Sequence, residues 1–249
     1  MKPSIKLVSL INVETILVAL LVIVAFFIGS LWSKMQMLEK DGSSNSPSTQ
    51  EGIPNQPNQP APNFKVDIKD VKTDGEPFIG KKDAPVTLAY WFDFQCPFCK
   101  RFETDTMPTL VEKYVNSGKL RIVFKDFQFL GPDSQSAGIA EHAVWEISPD
   151  NYFKWHQAMY DKQDGENSGW GNPDDIIALT KTIAGIDSAK VEKLINSKKD
   201  EYQKEMDEDS AEGSGFGVNG TPGFVIGTQS ISGAQPVSVF TQVIDSLLK

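Results

Sequence analysis

The two cysteines of the chain, Cys96 and Cys99, are its strongest candidates for chemistry. Pro97 and Phe98 separate them, so the pair forms a Cys-Pro-Phe-Cys motif. Two thiols at this spacing can form and break a disulfide: one sulfur attacks or is attacked, and the other resolves the mixed disulfide. A purely structural disulfide is the alternative, but it would close a very small loop and constrain little of the unfolded chain.

A metal site is a further alternative. Structural zinc takes about four protein ligands, and His142 and His156 are the only histidines of the chain. Their spacing is unlike that of a zinc finger, and both fall in predicted helices, where packed or surface roles are expected. The sequence therefore favours redox chemistry without metal or cofactor, with a Cys96–Cys99 disulfide as the redox-active group.

A buried strand and a helix are predicted to position the motif. Residues 86–92 form a nearly unbroken apolar run, which is typical of a strand buried on both faces. Apolar residues recur at helical spacing after the motif, so Pro97 falls in the first turn of a helix. The helix N-terminus should lower the pKa of Cys96. We expect an exposed Cys96 and a largely buried Cys99.

Four segments resemble the DsbA-type thioredoxin-fold thiol–disulfide oxidoreductases. They are residues 84–87 (APVT), 93–99 (DFQCPFC), 123–127 (VFKDF) and 218–224 (VNGTPGF). The resemblance covers about residues 76–249. It implies a thioredoxin fold and a thiol–disulfide exchange activity.

The resemblance also implies roles for single residues. Cys96 would be the attacking thiolate and Cys99 the resolving thiol, while Pro97 and Phe98 would tune the redox potential. Thr221 and Pro222 match the family's cis-proline loop, which faces the cysteines and binds the extended backbone of the partner. We therefore predict a cis Thr221–Pro222 peptide bond.

The chain departs from the family pattern at three of its positions. Phe98 stands where strong oxidants carry His, and Thr221 stands where many oxidases carry Val. Tyr90 occupies the position of a buried glutamate that serves the family as a proton acceptor. Asp93 is nearer the cysteines, although helix capping is an alternative role for it, and Lys125 is a strand lysine that we place near the site.

The N-terminal residues 1–33 are predicted to form a cytoplasmic stub and a transmembrane signal anchor. No charged residue occurs between Thr15 and Trp32, and a helix of that length spans about 27 Å, close to the ~30 Å hydrocarbon core. Lys2 and Lys6 should keep the N-terminus in the cytoplasm. A cleaved signal peptide is the alternative.

A linker and one domain are predicted to follow. Residues 34–63 are rich in Pro, Ser, Asn and Gln, and such a segment does not fold by itself. It would tether a domain at 64–249, which we expect to be an α/β thioredoxin fold with an inserted helical subdomain at about 131–212. The expected elements are a first strand at Phe64–Ile68, a helix kinked by Pro108, four inserted helices at 134–147, 151–160, 173–184 and 188–206, a hairpin around Gly227-Thr228, and a last helix.

The charge pattern and the predicted topology limit the partners. A net charge of −9 argues against nucleic-acid binding, and the acidic residues of 161–212 are expected to form a solvated face or, alternatively, a docking surface for a basic partner. We expect a single-pass protein of the bacterial cytoplasmic membrane with an extracytoplasmic catalytic domain. It would oxidise thiols of exported client proteins and be reoxidised by a quinone-linked membrane partner of the DsbB or VKOR type. An isomerase or reductase, a tethered binding or chaperone module and a metal-binding protein are the alternatives.

Overall fold

A mixed five-stranded sheet lies at the centre of the computed structural model, which describes residues 66–249. The spatial order of the strands is β1-β3-β2-β4-β5. Strand β2 pairs in parallel with β3 and antiparallel with β4, while β1 and β5 are antiparallel edge strands. The strands are β1 (Phe78–Ile79), β2 (Val86–Phe92), β3 (Leu120–Asp126), β4 (Gly223–Ile226) and β5 (Gln229–Ser232).

Strand β2 is buried on both faces, as its apolar run predicts. Only Thr87 among its residues is partly exposed. Because successive side chains of a strand point to opposite faces, Tyr90 and Trp91 enter different clusters. Tyr90 stacks on Phe224 with ring centroids 4.9 Å apart, and the indole nitrogen of Trp91 donates to the carbonyl of Asp209 at 2.9 Å. The central strand thus anchors two separate packing layers.

The helix after β2 is broken, as predicted from Pro108. Helix α1 (Pro97–Asp105) ends before Thr106, and α2 (Met107–Leu110) follows it. A π-helical turn at Val111–Val115 continues α2 towards β3. The absent N–H of a proline removes one helical hydrogen bond and its ring disturbs the preceding turn, so the break at this place has a local cause.

Helices between β3 and β4 form the predicted insertion. They are α3 (Pro132–Ile147), α4 (Pro149–Lys162), α5 (Pro173–Lys181) and α6 (Ser188–Gly215). Helix α6 runs past the predicted end at Met206, bends where Lys198 leaves helical geometry, and packs its second half on the sheet. The β4–β5 hairpin and the last helix, α7 (Val237–Leu247), lie where they were predicted. The architecture is a thioredoxin-like α/β fold with a helical insertion.

The prediction of a first strand at Phe64–Ile68 is wrong for its described part. The side chain of Asp67 accepts a hydrogen bond from the backbone of Lys69 at 3.0 Å, and this contact supports a short 3-10 helix at Ile68–Asp70 instead. The predicted anchor at 1–33 and the linker at 34–63 lie outside the described residues. Within residues 66–249, no helix has both the length and the apolar character needed to cross a membrane.

Candidate active site

Cys96 is the N-cap residue of α1. It has an extended backbone, with φ −74° and ψ 119°, and Pro97 follows as the first helical residue. Its N–H donates to the carbonyl of Asp93 at 3.0 Å, which closes a tight turn after β2. Cys99 lies one helical turn later, and both thiols are free. The predicted transition from buried strand to helix therefore places both sulfurs at the helix N-terminus.

The pKa values of the two thiols are shifted in opposite directions. The pKa of Cys96 is lowered to about 6, chiefly because the Cys99 thiol donates to its thiolate; burial opposes this effect, and the Thr221 hydroxyl and two backbone N–H groups add to it. The pKa of Cys99 is raised well above the ordinary thiol value, first by burial and then by its neighbour Cys96. The predicted fall in the pKa of Cys96 is confirmed.

The prediction of an exposed Cys96 is wrong. Cys96 is only 4% exposed and Cys99 is 0% exposed. The carbonyl oxygen of Thr221 lies 3.4 Å from the Cys96 sulfur. The side chain of Gln163, at the end of α4, donates to the carbonyls of Phe94 and Cys96 at 2.6 and 3.1 Å. A loop and the helical insertion thus close over a residue that the motif alone would leave open.

The loop opposite the cysteines has the predicted geometry. The Thr221–Pro222 peptide bond is cis, and the backbone of Thr221 contacts Cys96. The Thr221 hydroxyl oxygen is buried and has no hydrogen-bond partner among the described residues. A thiolate at Cys96 can therefore receive a hydrogen bond from a hydroxyl that is otherwise unused.

Phe98 provides no polar group beside the sulfurs. Its side chain is 54% exposed, and the guanidinium of Arg101 lies 5.1 Å from its ring centroid. Its contribution to the Cys96 thiolate comes from the backbone N–H alone. Pro97 and Phe98 are accordingly the exposed pair of the motif, between two covered cysteines.

Asp93 is fully buried. It does not cap α1, so the capping role that the sequence suggested for it is wrong. One carboxylate oxygen accepts from the backbone of Gln95 at 2.8 Å and from the hydroxyl of Ser134 at 2.5 Å. The other accepts from the N–H groups of Phe129 and Leu130 at 2.9 and 3.1 Å. Burial raises the pKa of Asp93, and these hydrogen bonds oppose the rise. Asp93 therefore fastens the loop after β3 to the turn before the cysteines.

The placement of Lys125 near the cysteines is also wrong. Lys125 is fully buried, and its ammonium forms ion pairs with Glu76, Asp209 and Glu212. It lies beside Trp91 in the β2–β3 register, on the sheet face opposite the cluster that contains Tyr90 and both cysteines. Its charge thus joins the insertion to the sheet.

Tyr90 lies in the apolar cluster with Cys96 and Cys99. Its hydroxyl is buried without a hydrogen-bond partner among the described residues. Burial raises the pKa of Tyr90 well above its usual value, and charge on Cys99 raises it further. The structure therefore brings Tyr90 to the site, where the resemblance locates a carboxylate.

The two histidines are packed, as predicted. His142 is 2.7 Å from a carboxylate oxygen of Asp126, and His156 is fully buried and 3.1 Å from a carboxylate oxygen of Glu103. Sequence reasoning missed Glu103 and Gln163. Glu103 follows Cys99 by four residues, so it shares the buried helix face of Cys99; that spacing was a usable signal. Gln163 ends a helix and offered none.

Among residues 66–249, no group of three or more His, Cys, Asp or Glu side chains has the arrangement of a metal site. The lowered pKa of Cys96 and the burial of Cys99 support thiol–disulfide chemistry at this pair of sulfurs.

Comparisons with known proteins find a matching family and similar sequences. The model of a family described as Thioredoxin matches residues 72–246. Disulfide bond formation protein D of Bacillus subtilis is 26% identical over 175 residues, which cover 70% of this chain and 78% of the relative. The probable disulfide bond formation protein D of Bacillus cereus is 28% identical over 145 residues, which cover 58% of this chain and 66% of that protein.

Two solved structures have a similar fold. Oxidised BdbD from Bacillus subtilis superposes with a TM-score of 0.65 at 24% identity, over 74% of this chain and 96% of that chain. The DsbA of Chlamydia trachomatis superposes with a TM-score of 0.63 at 20% identity, over 72% and 94% of the two chains.

Proposed function

The chain belongs to the thioredoxin family and is a protein thiol–disulfide oxidoreductase of the DsbA type, and we propose that it acts as a dithiol oxidase for exported proteins. Its redox group would be the Cys96–Cys99 disulfide, without an external cofactor. A client thiolate attacks the sulfur of Cys96, and Cys99 leaves. A second client thiolate then resolves the mixed disulfide and releases Cys96 as a thiolate.

One observation carries the proposal: the pKa of Cys96 is lowered to about 6, whereas burial raises that of Cys99. A thiol of low pKa is a good leaving group, so Cys96 leaves the mixed disulfide easily when the second client thiolate attacks. A stabilised thiolate also stabilises the reduced protein, which makes the disulfide a better oxidant.

The remaining site residues would shape this exchange. Pro97 and Phe98 tune the potential, and Phe98 presents an exposed apolar ring beside the sulfurs. Thr221 donates to the thiolate, and the cis loop at Pro222 receives the extended backbone of a client. Asp93 holds the surrounding loop through its buried hydrogen bonds.

Two measurements test the proposal. The reduction potential of the full chain, titrated with glutathione, should lie nearer the value of about −120 mV of a strong oxidant than the −270 mV of thioredoxin. Separately, Cys99→Ala should accumulate mixed disulfides with client proteins on non-reducing gels, and Cys96→Ala should not. Equal trapping by the two variants would contradict the assigned roles.

The domain at 64–249 would lie outside the bacterial cytoplasmic membrane, tethered by the linker at 34–63 and by an anchor at 1–33. The uncharged run from Thr15 to Trp32 supports this arrangement. A quinone-linked membrane protein of the DsbB or VKOR type would reoxidise the dithiol. Protease added outside intact cells should release a fragment that begins in the linker; a mature chain beginning near Ser33 would instead reveal a cleaved signal peptide.

A reductase or isomerase on the same scaffold is the second candidate, favoured by Thr221 before the cis proline. A potential near that of thioredoxin would support it. A tethered binding or chaperone module belongs to another class of function. Such a module would not exchange its cysteines with glutathione, so the same titration separates it from both redox activities.

A further inference from the structure

Asn219 and Gly220 form the only Asn-Gly dipeptide of the chain. An asparagine side chain can reach the backbone nitrogen of a following residue, and a glycine at the next position has no Cβ to obstruct the approach. The dipeptide immediately precedes Thr221, whose carbonyl oxygen lies 3.4 Å from the sulfur of Cys96. A reaction between this side chain and the backbone would therefore take place beside the redox centre.

The structure leaves both reacting groups available. Asn219 is exposed and lies outside the helices and strands. Within residues 66–249, neither the side-chain amide of Asn219 nor the N–H of Gly220 takes part in a hydrogen bond. Water thus has access to the amide, and no hydrogen bond to another group has to break before the two groups approach each other.

The stretch that contains the dipeptide is held at its two ends. The N–H of Val218 donates to the carbonyl of Gly213 at 2.9 Å, and the carbonyl of Pro222 accepts from the N–H of Gly233 at 2.8 Å. Between these anchors, no backbone N–H of residues 219–221 donates to a backbone carbonyl of the described chain. A stretch without backbone hydrogen bonds opens locally at little cost, so it can adopt the conformation that ring closure requires.

The fold does not require a glycine at position 220. Gly220 lacks the positive φ that favours glycine, and a Cβ at this position would meet no atom within 4 Å. Gly223 is different, because a Cβ there would approach a methyl group of Val218 to 2.6 Å. The missing side chain of Gly220 therefore has no packing role, and its effect is to leave the backbone nitrogen open to the amide of Asn219.

We propose that Asn219 is a site of spontaneous deamidation and that this modification weakens the redox centre as the protein ages. The nitrogen of Gly220 loses its proton and forms a bond to Cγ of Asn219. The bond from Cγ to the side-chain nitrogen breaks, and ammonia leaves with the proton. Water then opens the cyclic imide on either side of the ring nitrogen, which gives aspartate or isoaspartate at position 219. The reaction consumes water only and involves no oxidant or reductant.

Both products would change the surroundings of the Cys96 thiolate. Each adds a negative charge next to the loop of Thr221, and a like charge nearby disfavours a thiolate. Isoaspartate also lengthens the backbone by a methylene group directly before Gly220. Because the hydroxyl of Thr221 helps to lower the pKa of Cys96, its displacement would act in the same direction as the charge. This consequence, unlike the deamidation itself, rests on the proposed disulfide exchange.

The test follows the mass of the peptide that contains Asn219. The full chain is incubated at neutral and at mildly alkaline pH and is then digested. The peptide should gain the mass difference between NH2 and OH, faster at the higher pH because the N–H of Gly220 must lose its proton. An isoaspartyl methyltransferase should label the isoaspartate fraction. Asn167 is an internal control: its side chain donates to the carbonyl of Leu130 at 2.6 Å, and it should stay unmodified in the same samples.

Two variants are matched controls for the reaction. Gly220→Ala places a methyl group in open space and should slow the mass gain by hindering the attack. Asn219→Gln would have to close a larger ring and should not react over the same period.

The redox consequence is measured in each protein against its own value before incubation. In the parent chain, the pKa of Cys96 should rise by roughly half a unit as the modification accumulates, and both control variants should keep their starting values. Asn219→Asp carries the charge from the outset and should begin with the raised pKa.

An unmodified Asn219 in the folded chain, under conditions that modify the urea-unfolded chain, would overturn the proposal. Equal rates in the parent and in Gly220→Ala would also contradict it. Modification without any change in the pKa of Cys96 would overturn the effect assigned to the redox centre. The mass measurement does not depend on activity, so a parent chain that failed to exchange with glutathione would refute the proposed function and leave the modification result intact.

Discussion

The sulfur of Cys96 lies 3.4 Å from the carbonyl oxygen of Thr221, across the space between the start of α1 and the loop before β4. These residues are far apart in the chain, and the central sheet brings them together because β2 and β4 are paired neighbours. The redox centre is therefore assembled by the sheet and not by the motif alone. The hydroxyl of the same threonine also stabilises the thiolate.

The first prediction concerns the ionisation of Cys96. A thiolate absorbance titration of the reduced chain should give a pKa of about 6, and Cys96→Ala should abolish the transition. A midpoint near the free-cysteine value of about 8.5 would contradict the assigned environment.

The low pKa of Cys96 also has a consequence for stability. Because the folded-state pKa is depressed, the stabilisation is fully present above the unfolded-state value and is lost as pH falls through about 6. The free energy of unfolding of the reduced protein should thus rise by about 2–3 kcal/mol between pH 5 and 8, relative to the oxidised protein. Above about pH 8.5 the raised pKa of Cys99 opposes any further rise. Parallel urea unfolding of the two forms measures this difference.

The second prediction concerns Thr221→Val. Although many oxidases of the family carry Val at this position, in this chain the loss of the hydroxyl removes one donor to the thiolate. The pKa of Cys96 should therefore rise by roughly one unit, and the chain should become a weaker oxidant. Each tenfold change in the redox equilibrium corresponds to about 30 mV, which a glutathione titration resolves. Thr221→Ser keeps the hydroxyl and should retain the parent values; equal behaviour of the two variants would argue against a role for it.

The third prediction concerns Phe98→His. An imidazole at this exposed place can donate to the thiolate or carry charge beside it, so the pKa of Cys96 should fall and the oxidising strength should increase. Phe98→Leu is the matched control, because it changes the side chain without adding a donor. A Phe98→His variant with the parent pKa and potential would show that the dipeptide does not set them.

The fourth prediction concerns Lys125→Met. Burial, which lowers the pKa of Lys125, is outweighed by the charges of Asp209, Glu76 and Glu212, so the pKa is raised. Its contribution is therefore fully present at pH 7, below the unfolded-state value. Removal leaves buried carboxylates without their cation and should cost about 3–5 kcal/mol of unfolding free energy.

Lys72→Met is the matched control for this ion-pair cluster. Lys72 also pairs with Glu76, at 3.8 Å, but its side chain is 54% exposed, and exposed pairs contribute about 0–1 kcal/mol. Comparable losses in the two variants, measured by denaturant unfolding, would contradict the importance assigned to buried Lys125.

Much of the fold could be predicted because its signals are local. The apolar run of β2, the helix break at Pro108 and the hairpin at Gly227 each depend on a few adjacent residues. The cis bond before Pro222 could be predicted only from the resemblance, since most prolines are trans. The strand at Phe64–Ile68 was wrong because a single side-chain contact from Asp67 favours a turn over an alternating pattern.

The support of the site depends on contacts between distant segments. Lys125 on β3 forms an ion pair with Asp209, which lies on helix α6 far along the chain. The sequence around Lys125 did not indicate which face of the sheet its side chain would occupy. Cys96 is covered by Gln163 and by the loop of Thr221, so its low exposure is a tertiary property. The burial of Glu103 beside Cys99 could have been predicted, because the helical spacing of the two residues is visible in the sequence.

Helix α6 accepts hydrogen bonds from the sheet, and removal of the helix would leave those donors without acceptors. Asp209 accepts from the indole of Trp91 through its carbonyl and from the backbone of Asp126 through its carboxylate, at 2.9 and 3.0 Å. In a shortened protein without residues 131–212, the indole N–H of Trp91 and the backbone N–H of Asp126 would lose these acceptors. The insertion is thus not a detachable module, and a minimal version of the redox centre would need redesign of Trp91 and of the sheet face beneath it.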